Sequence, residues 1–480
     1  MSGDEHAKGL RDALVFAPGR VLPNLTQFLL LYLAAHLLPL EELGWLALLL
    51  TLATMASLVL GGWIDQANLR YYPEQYARDG GTGFLARNRH LLGWASLVAA
   101  LVLVGLVAVA WARQPARLPG LALCGALVLV LVWYNNSQFL LVCQRKPLAY
   151  SSAEAVRFTL CTLLAVAVAL AGHASPEAFL LAFTVATGCA LLPSLSWSSS
   201  LRFPTVRDRA HIRMVLAFGL PTLVWLAGAQ GLVLLDRLLV GLRLGDAAIG
   251  VFQLNANLLP LLPLLAAMPL IYSAHASVMA RASAPAQEIE DLVRRFHATF
   301  LFTYVPIGTV VSWVGRDVTA LLYGPEVASA WAVVPLLVAA NLLWQSSFYA
   351  QKRLELEART RVMAGLVLVA LGLSAASTWV LLPRVGIPAA GVGALVGFGS
   401  YLAMVSLVPG TRVRWRVHWK AGAQSLAASG VSLAFAAAVA SWAKPAGLAK
   451  VAVVGVLFAV AYAGLLWMLL RSARKAASAP

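Results

Sequence analysis

Residues 119–142 read PGLALCGALVLVLVWYNNSQFLLV. No charged side chain occurs over these 24 residues. As an α-helix the stretch extends about 36 Å, enough to cross the ~30 Å hydrocarbon core of a bilayer. Its apolar residues show neither the two-residue alternation of a barrel strand nor a single helical stripe. It reads as a helix apolar on all sides, which only a lipid-embedded bundle accommodates. The rest of the chain repeats the pattern. Of its 480 residues, 60% are hydrophobic and 12% charged, against roughly 25% charged in a soluble domain. A cytosolic enzyme, a secreted disulfide scaffold and a receptor with a large ectodomain are therefore excluded.

Fourteen apolar runs qualify as spans: 13–37, 43–67, 91–112, 119–142, 149–171, 176–199, 213–241, 248–275, 293–322, 329–351, 362–383, 387–409, 421–443 and 448–470. Lipid leaves every backbone polar group to be satisfied internally, so these runs must be helices. Lys and Arg test the count. With a cytoplasmic N-terminus, 26 of the 36 bases fall on the cytoplasmic side and seven outside. That bias alternates in phase from loop to loop, as the positive-inside rule requires. Both termini are thus expected in the cytoplasm of a bacterium's inner membrane. The net charge of +16 sits in short juxtamembrane loops, which suits anionic lipid headgroups rather than nucleic acid. The first span is expected to direct insertion without a removable signal peptide. The four cysteines, Cys124, Cys143, Cys161 and Cys189, lie in apolar runs and read as buried small hydrophobes.

The loop after span six, with Arg202, Pro204, Arg207, Asp208, Arg209 and His211, is a natural divider. It predicts an N-lobe over 1–205, a C-lobe over 206–410 and two appended spans over 411–480. Spans one and seven share early prolines (Pro18, Pro23; Pro221) and a Gly-containing turn into the next span. This suits two six-helix lobes around a central cavity.

Four segments carry a family resemblance. Gly219 to Ala276 contains Asp236, Arg237, Gly241, Gly245, Gly250 and Phe252 in an Asp-Arg…Gly, turn, aromatic order. Leu322 to Glu326 forms an aromatic-Gly-Pro-Glu turn, Leu382 to Gly391 a Pro- and Gly-rich turn, and Asn68 to Tyr76 a basic-aromatic-Pro segment. In that order they resemble Wzx-type polysaccharide flippases of the multidrug/oligosaccharidyl-lipid/polysaccharide transporter superfamily. The resemblance spans most of residues 10–410. It implies a polyprenyl-pyrophosphate-linked oligosaccharide as cargo, alternating access as mechanism, and polysaccharide polymerase and export proteins as partners. One departure is Pro388, where the family often has another apolar residue. Another is the first span, which holds only Arg20, whereas the lipid II flippase branch typically carries several arginines there.

Ionisable groups at membrane depth are costly, from about 2.5 kcal/mol each. Arg20, Asn24 and Gln27 share a helix face by their i, i+4, i+7 spacing. A guanidinium matches two phosphate oxygens at once, so Arg20 is a candidate pyrophosphate ligand; a snorkelling arginine is its plainer reading. Glu154 and Arg157 are spaced for a local ion pair at the interface, or Arg157 joins Arg20. Asp65 reads as interfacial. Asp236 and Arg237, on different faces of span seven, are expected at the lobe interface or in coupling. Polar stripes on other spans offer partners for sugar: Asn135, Asn136 and Gln138; Gln253, Asn255 and Asn257; Asn341, Gln345 and Tyr349. Interhelical hydrogen bonding is the competing account of these amides.

No nucleotide loop, zinc-binding helix or nucleophile elbow is present; the one near match, Gly397 to Tyr401, has Gly399 where the elbow needs Ser and ends in Tyr401. No cofactor or metal is expected, and neither is catalysis. An ion-coupled drug or metabolite exporter, a lipid II-type flippase and a non-transporting scaffold of a synthesis complex stay open as alternatives. The orientation is testable. A green fluorescent protein fused after Pro480 should fluoresce and alkaline phosphatase fused there should be inactive. The reverse pattern would overturn the topology.

Overall fold

The computed structural model describes residues 22–23, 25–79, 81–113, 115–144, 146–198, 207–257, 259–281, 284–357, 359–409, 418–443 and 447–477. Among these residues all regular structure is helical. The helices are α1 (Leu25–Leu37), α2 (Leu40–Asp79), α3 (Thr82–Arg113), α4 (Leu118–Cys143), α5 (Pro147–Leu170), α6 (Pro176–Trp197), α7 (Arg209–Leu244), α8 (Asp246–Asn257) and α9 (Leu261–Ala280). They continue as α10 (Ala286–Tyr323), α11 (Pro325–Ala328), α12 (Val333–Ala350), α13 (Lys352–Leu356), α14 (Thr360–Val385), α15 (Pro388–Leu407), α16 (Trp419–Ala443) and α17 (Gly447–Ala477). Thirteen segments are long and apolar enough to cross a membrane, α8 and α9 together making one of them, and α1 adds a shorter apolar helix. The chain is a multi-pass membrane protein; where the sequence implies fourteen spans, the described residues show thirteen, and the first expected span is represented by the short helix α1.

Several helices outrun their apolar runs. Residues 70–90 read as a polar loop, yet α2 continues to Asp79 and α3 begins at Thr82, with Gly81 making the turn at φ +74°. Aromatic packing holds this extension: the Tyr72 ring meets Tyr76 at 5.8 Å and Phe84 at 5.7 Å. The start of α7 is fixed by Asp208, whose carboxylate accepts from the N–H groups of His211 (3.2 Å) and Ala210 (2.9 Å). The His211 N–H, then that of Ala210 and the nearby Arg87, hold this carboxyl below the usual carboxylate range. Gly245, Gly324 and Gly386 take positive φ at the three turns of the quoted segments.

The chain forms two compact units, Met1–Gly250 and Val251–Pro480. In the first, α2 is the hub and packs on α3, α4, α6 and α7, while α5 lies on α6. In the second, α10 packs on α9, α12, α16 and α17, and α15 lies between α12 and α14. The last two spans are tied to α10 by polar bonds. Ser425 donates to the Leu301 carbonyl at 3.1 Å and Tyr462 to that of Phe302 at 2.9 Å. Leu101, Val104, Leu163 and Leu170 point outward, as lipid-facing residues do. Of the cysteines expected in the interior, Cys124 and Cys161 are buried but Cys189 is exposed on α6. A cysteine on an apolar outer face meets hydrocarbon there and needs no burial in protein.

Lipid supplies no hydrophobic drive between helices, so close approach of small residues does the work. Two places on α2 show it. A Cβ on Gly44 would overlap the Asp246 carbonyl at the start of α8, and one on Gly219 of α7 would overlap the Trp63 carbonyl of α2. Replacing Gly219 by Val should cost roughly 1–3 kcal/mol through overpacking, seen as a lower thermal midpoint of the purified protein. Gly365→Ala on α14, with open space around it, should hold or slightly raise the midpoint. Equal midpoints for the two variants would refute the close crossing.

Candidate functional site

Inside the first unit the polar residues of α4, α5 and α6 converge. Arg157 of α5 pairs with Glu154, Nη2 to Oε2, at 2.7 Å. The pair lies about 15 Å along α5 from Pro147, with Arg157 7% and Glu154 4% exposed. The guanidinium sits over the Tyr134 ring at 4.9 Å and the Phe183 ring at 5.9 Å, contacts that favour a desolvated cation. Its Nε has no hydrogen-bond partner among the described residues. The ion pair expected from the i, i+3 spacing is formed, and it is buried within the unit. Aromatic rings from α4 and α6, which the linear pattern did not connect to Arg157, wall it off from lipid.

One turn away on α4, Ser137 shares a hydrogen bond with Ser194 of α6 at 2.7 Å, and Gln138 donates to the same hydroxyl at 3.0 Å. Asn136 donates to Asp65 Oδ1 at 2.7 Å, and Asn135 is half-buried. Asp65 is 3% exposed, and α2 runs on for fourteen residues beyond it to Asp79. On α7, Asp236 and Arg237 are both buried, and Arg237 donates to Thr51 of α2 at 3.3 Å. Gln27 is half-buried on α1, whereas Arg20 and Asn24 lie outside the described residues.

At the N-terminal end of α7, Arg209, Ile212, Arg213, Leu216, Ala217 and Leu220 line an open cavity of about 410 Å³. Two guanidinium groups stand above apolar steps, an amphipathic lining that suits an anionic headgroup with its chain.

In the second unit the span expected over 248–275 is broken. α8 ends at Asn257 and α9 starts at Leu261, because Pro260 removes a donor from the helical ladder. Asn255 bridges the break by donating to the carbonyls of Val251 and Val327, each at 2.9 Å. Gln253 and Asn257 are buried beside it, and Gln253 Oε1 and Asn257 Nδ2 have no partner among the described residues. A helix interrupted at membrane depth with amides around the break is a common setting for a binding site. On α12 the expected stripe divides. Asn341 is half-buried and Gln345 buried, while Tyr349 packs into an aromatic cluster with His297 at 5.2 Å and Phe300 at 5.5 Å.

The sequence treated Lys352 and Arg353 as loop bases, yet both are buried. Lys352 Nζ lies 2.6 Å from Glu355 Oε2 and 2.7 Å from His275 Nδ1, and Arg353 donates to the Val405 carbonyl. The Lys-x-x-Glu spacing was the available signal. Among the described residues no three His, Cys, Asp or Glu side chains converge to hold a metal.

The profile of the family described as polysaccharide biosynthesis protein matches residues 33–332. The chain belongs to this family. Its fold is shared with solved transporters. The lipid II flippase MurJ in an inward closed conformation superposes with a TM-score of 0.68 at 11% identity, covering 95% of this chain and 99% of that one. An inward-facing multidrug resistance MATE family transporter of the MOP superfamily gives 0.65 at 14% identity, covering 88% and 99%. A MOP superfamily transporter from Pyrococcus furiosus gives 0.56 at 12%, covering 88% and 96%. No curated protein matches the sequence. The fold class and family expected from the four segments are thereby shown.

The Glu154–Arg157 pair generates a stability prediction. Arg157→Leu alone should cost roughly 3–5 kcal/mol by leaving Glu154 uncompensated, whereas Glu154→Leu with Arg157→Met together should cost much less. Thermal unfolding of the purified variants checks this. Additive losses would show that the pair is not coupled.

Proposed function

We propose that this family member is a flippase that carries a polyprenyl-pyrophosphate-linked oligosaccharide across the bacterial inner membrane. It acts in exopolysaccharide or O-antigen assembly, with both termini in the cytoplasm. The observation that carries this reading is Arg157, a buried guanidinium with an unpartnered Nε, aromatic walls and amides close by. A planar cation with free donors suits pyrophosphate, and rings with amides suit sugar. Arg20 is its proposed partner at the inner mouth. Gln27, Gln138, Gln253, Asn257, Asn341, Gln345 and Tyr349, with Asn24 and Asn135, are the proposed sugar-facing set. The cavity under Arg209 and Arg213 supports a place for the lipid phosphate and its chain before entry.

The cycle is alternating access of an N-lobe (1–205) and a C-lobe (206–410), with Asp236 and Arg237 acting where they meet and spans over 411–480 appended. The family's role in polysaccharide biosynthesis and the lipid II flippase among the similar folds support the substrate class. Polymerase and export proteins, with anionic lipids, are its proposed partners. A second reading, export of small molecules, draws on the multidrug transporter among the similar folds. No catalytic step is proposed.

The test is lipid extraction and mass spectrometry of a deletion strain. A complete pyrophosphate-linked repeat unit should build up on the cytoplasmic face. Complementation with Arg157→Lys should restore membrane levels but leave export reduced by tenfold or more, because an ammonium lacks the fork geometry (about 1.4 kcal/mol per tenfold). Unchanged lipid intermediates with a fall in small-molecule efflux would replace the flippase with the exporter.

A further inference from the structure

At the inner end of the first unit, three helices stack an amide layer on an apolar floor. The floor is Tyr72 of α2, Phe84 of α3 and Leu140 of α4, packed in one buried cluster. One helical turn towards the membrane centre from each lies an asparagine: Asn68 on α2, Asn88 on α3 and Asn136 on α4. Neighbouring helices run in opposite directions, so the i−4 step on α2 and α4 and the i+4 step on α3 reach the same level. Asp65, three residues before Asn68 on the same face of α2, joins the layer by accepting from Asn136 at 2.7 Å.

This layer is poorly compensated as it stands. Asn68 and Asn88 are 0% and 1% exposed. Neither the Nδ2 nor the Oδ1 of either side chain has a hydrogen-bond partner among the described residues. Asp65, also buried, takes part in no ion pair among those residues. The other ionisable groups nearby do not neutralise it. Cys143 on α4 is within electrostatic reach, His211 of α7 packs edge-on against Phe84, Arg87 of α3 bonds Asp208, and Tyr134 faces Arg157. Buried polar groups are nearly always satisfied, and a buried carboxylate needs a positive partner.

We propose that Asp65, Asn68, Asn88 and Asn136 form a binding site for one dehydrated alkali cation of sodium type. Hard cations take oxygen ligands, and the layer offers one carboxylate and three amide carbonyls from three helices. Amide groups turn readily about their last torsion, so their oxygens can face a common centre. A proton on Asp65 would satisfy a single acceptor and leave the second amide stranded. A cation collects all of them. The aromatic floor closes the layer on the cytoplasmic side, so entry requires Tyr72 or Phe84 to move. The site rests on no substrate, so failure of the export assay would leave it intact.

The experiment is thermal unfolding of the full-length detergent-purified protein in choline chloride and in sodium chloride at equal ionic strength, paired with equilibrium binding of radioactive sodium. Wild type should gain roughly 2–4 °C in sodium and bind one equivalent. Asp65→Asn, an isosteric change, should fold in choline and lose both responses. Asn88→Leu, which removes a ligand but keeps the volume, should weaken sodium binding at least tenfold. A sodium response that persists in Asp65→Asn overturns the site. So does a wild type that responds to pH but not to sodium, or one that binds no sodium.

Discussion

Hydrocarbon donates and accepts no hydrogen bonds, and that single property governs this protein. Each polar side chain kept at membrane depth must find its partner within its own helical unit or be given one by a ligand. In the first unit most do. Glu154 holds Arg157, Ser194 gathers Ser137 and Gln138, and Arg237 reaches Thr51. The bonds cross from one helix to another, so they also fix which helices touch. The apolar side chains cannot do this, since they are as content against lipid as against one another.

α2 shows how one helix serves both needs. Towards α8 and α7 it offers contacts where only glycine fits, at Gly44 and opposite Gly219. Towards α3 and α4 its C-terminal half turns a polar face carrying Asp65 and Asn68. Small residues let backbones approach, and close backbones bring short side chains such as Asp and Asn within reach of the next helix. The polar layer is therefore a consequence of the tight packing as much as an addition to it.

Most of the spans and their all-helical character were legible in the sequence because each rests on a local property, a run of some twenty apolar residues closed by a charged loop. The turns at Gly245, Gly324 and Gly386 were legible too, since a positive φ needs glycine and the surrounding residues formed a pattern. What the sequence could not supply was depth and company. Asp65 looked terminal because the apolar run ends near it, yet the helix does not end there. Glu154 and Arg157 were recognisable as a pair from their spacing, but Tyr134 and Phe183 come from other helices, and no periodicity within α5 announces them. The break at Asn257 follows from Pro260, whose missing N–H is a local fact. The burial of Lys352 and Arg353 depends on α9 and α15, which is not local at all.

The two charged centres of the first unit impose different demands. Arg157 is already compensated, so on the proposed flippase reading an incoming phosphate must displace Glu154 or share the guanidinium with it. A monoanion would merely exchange one carboxylate for another acceptor and leave Glu154 stranded. A pyrophosphate brings more than one negative charge and several oxygens, so it can use Nε as well as Nη2. On that reading the internal competitor would make the site selective against single carboxylates. Asp65 has no such partner and attracts charge of the opposite sign. A unit that holds its cation clamped by a carboxylate and keeps another carboxylate in want of a cation is arranged to answer to both signs.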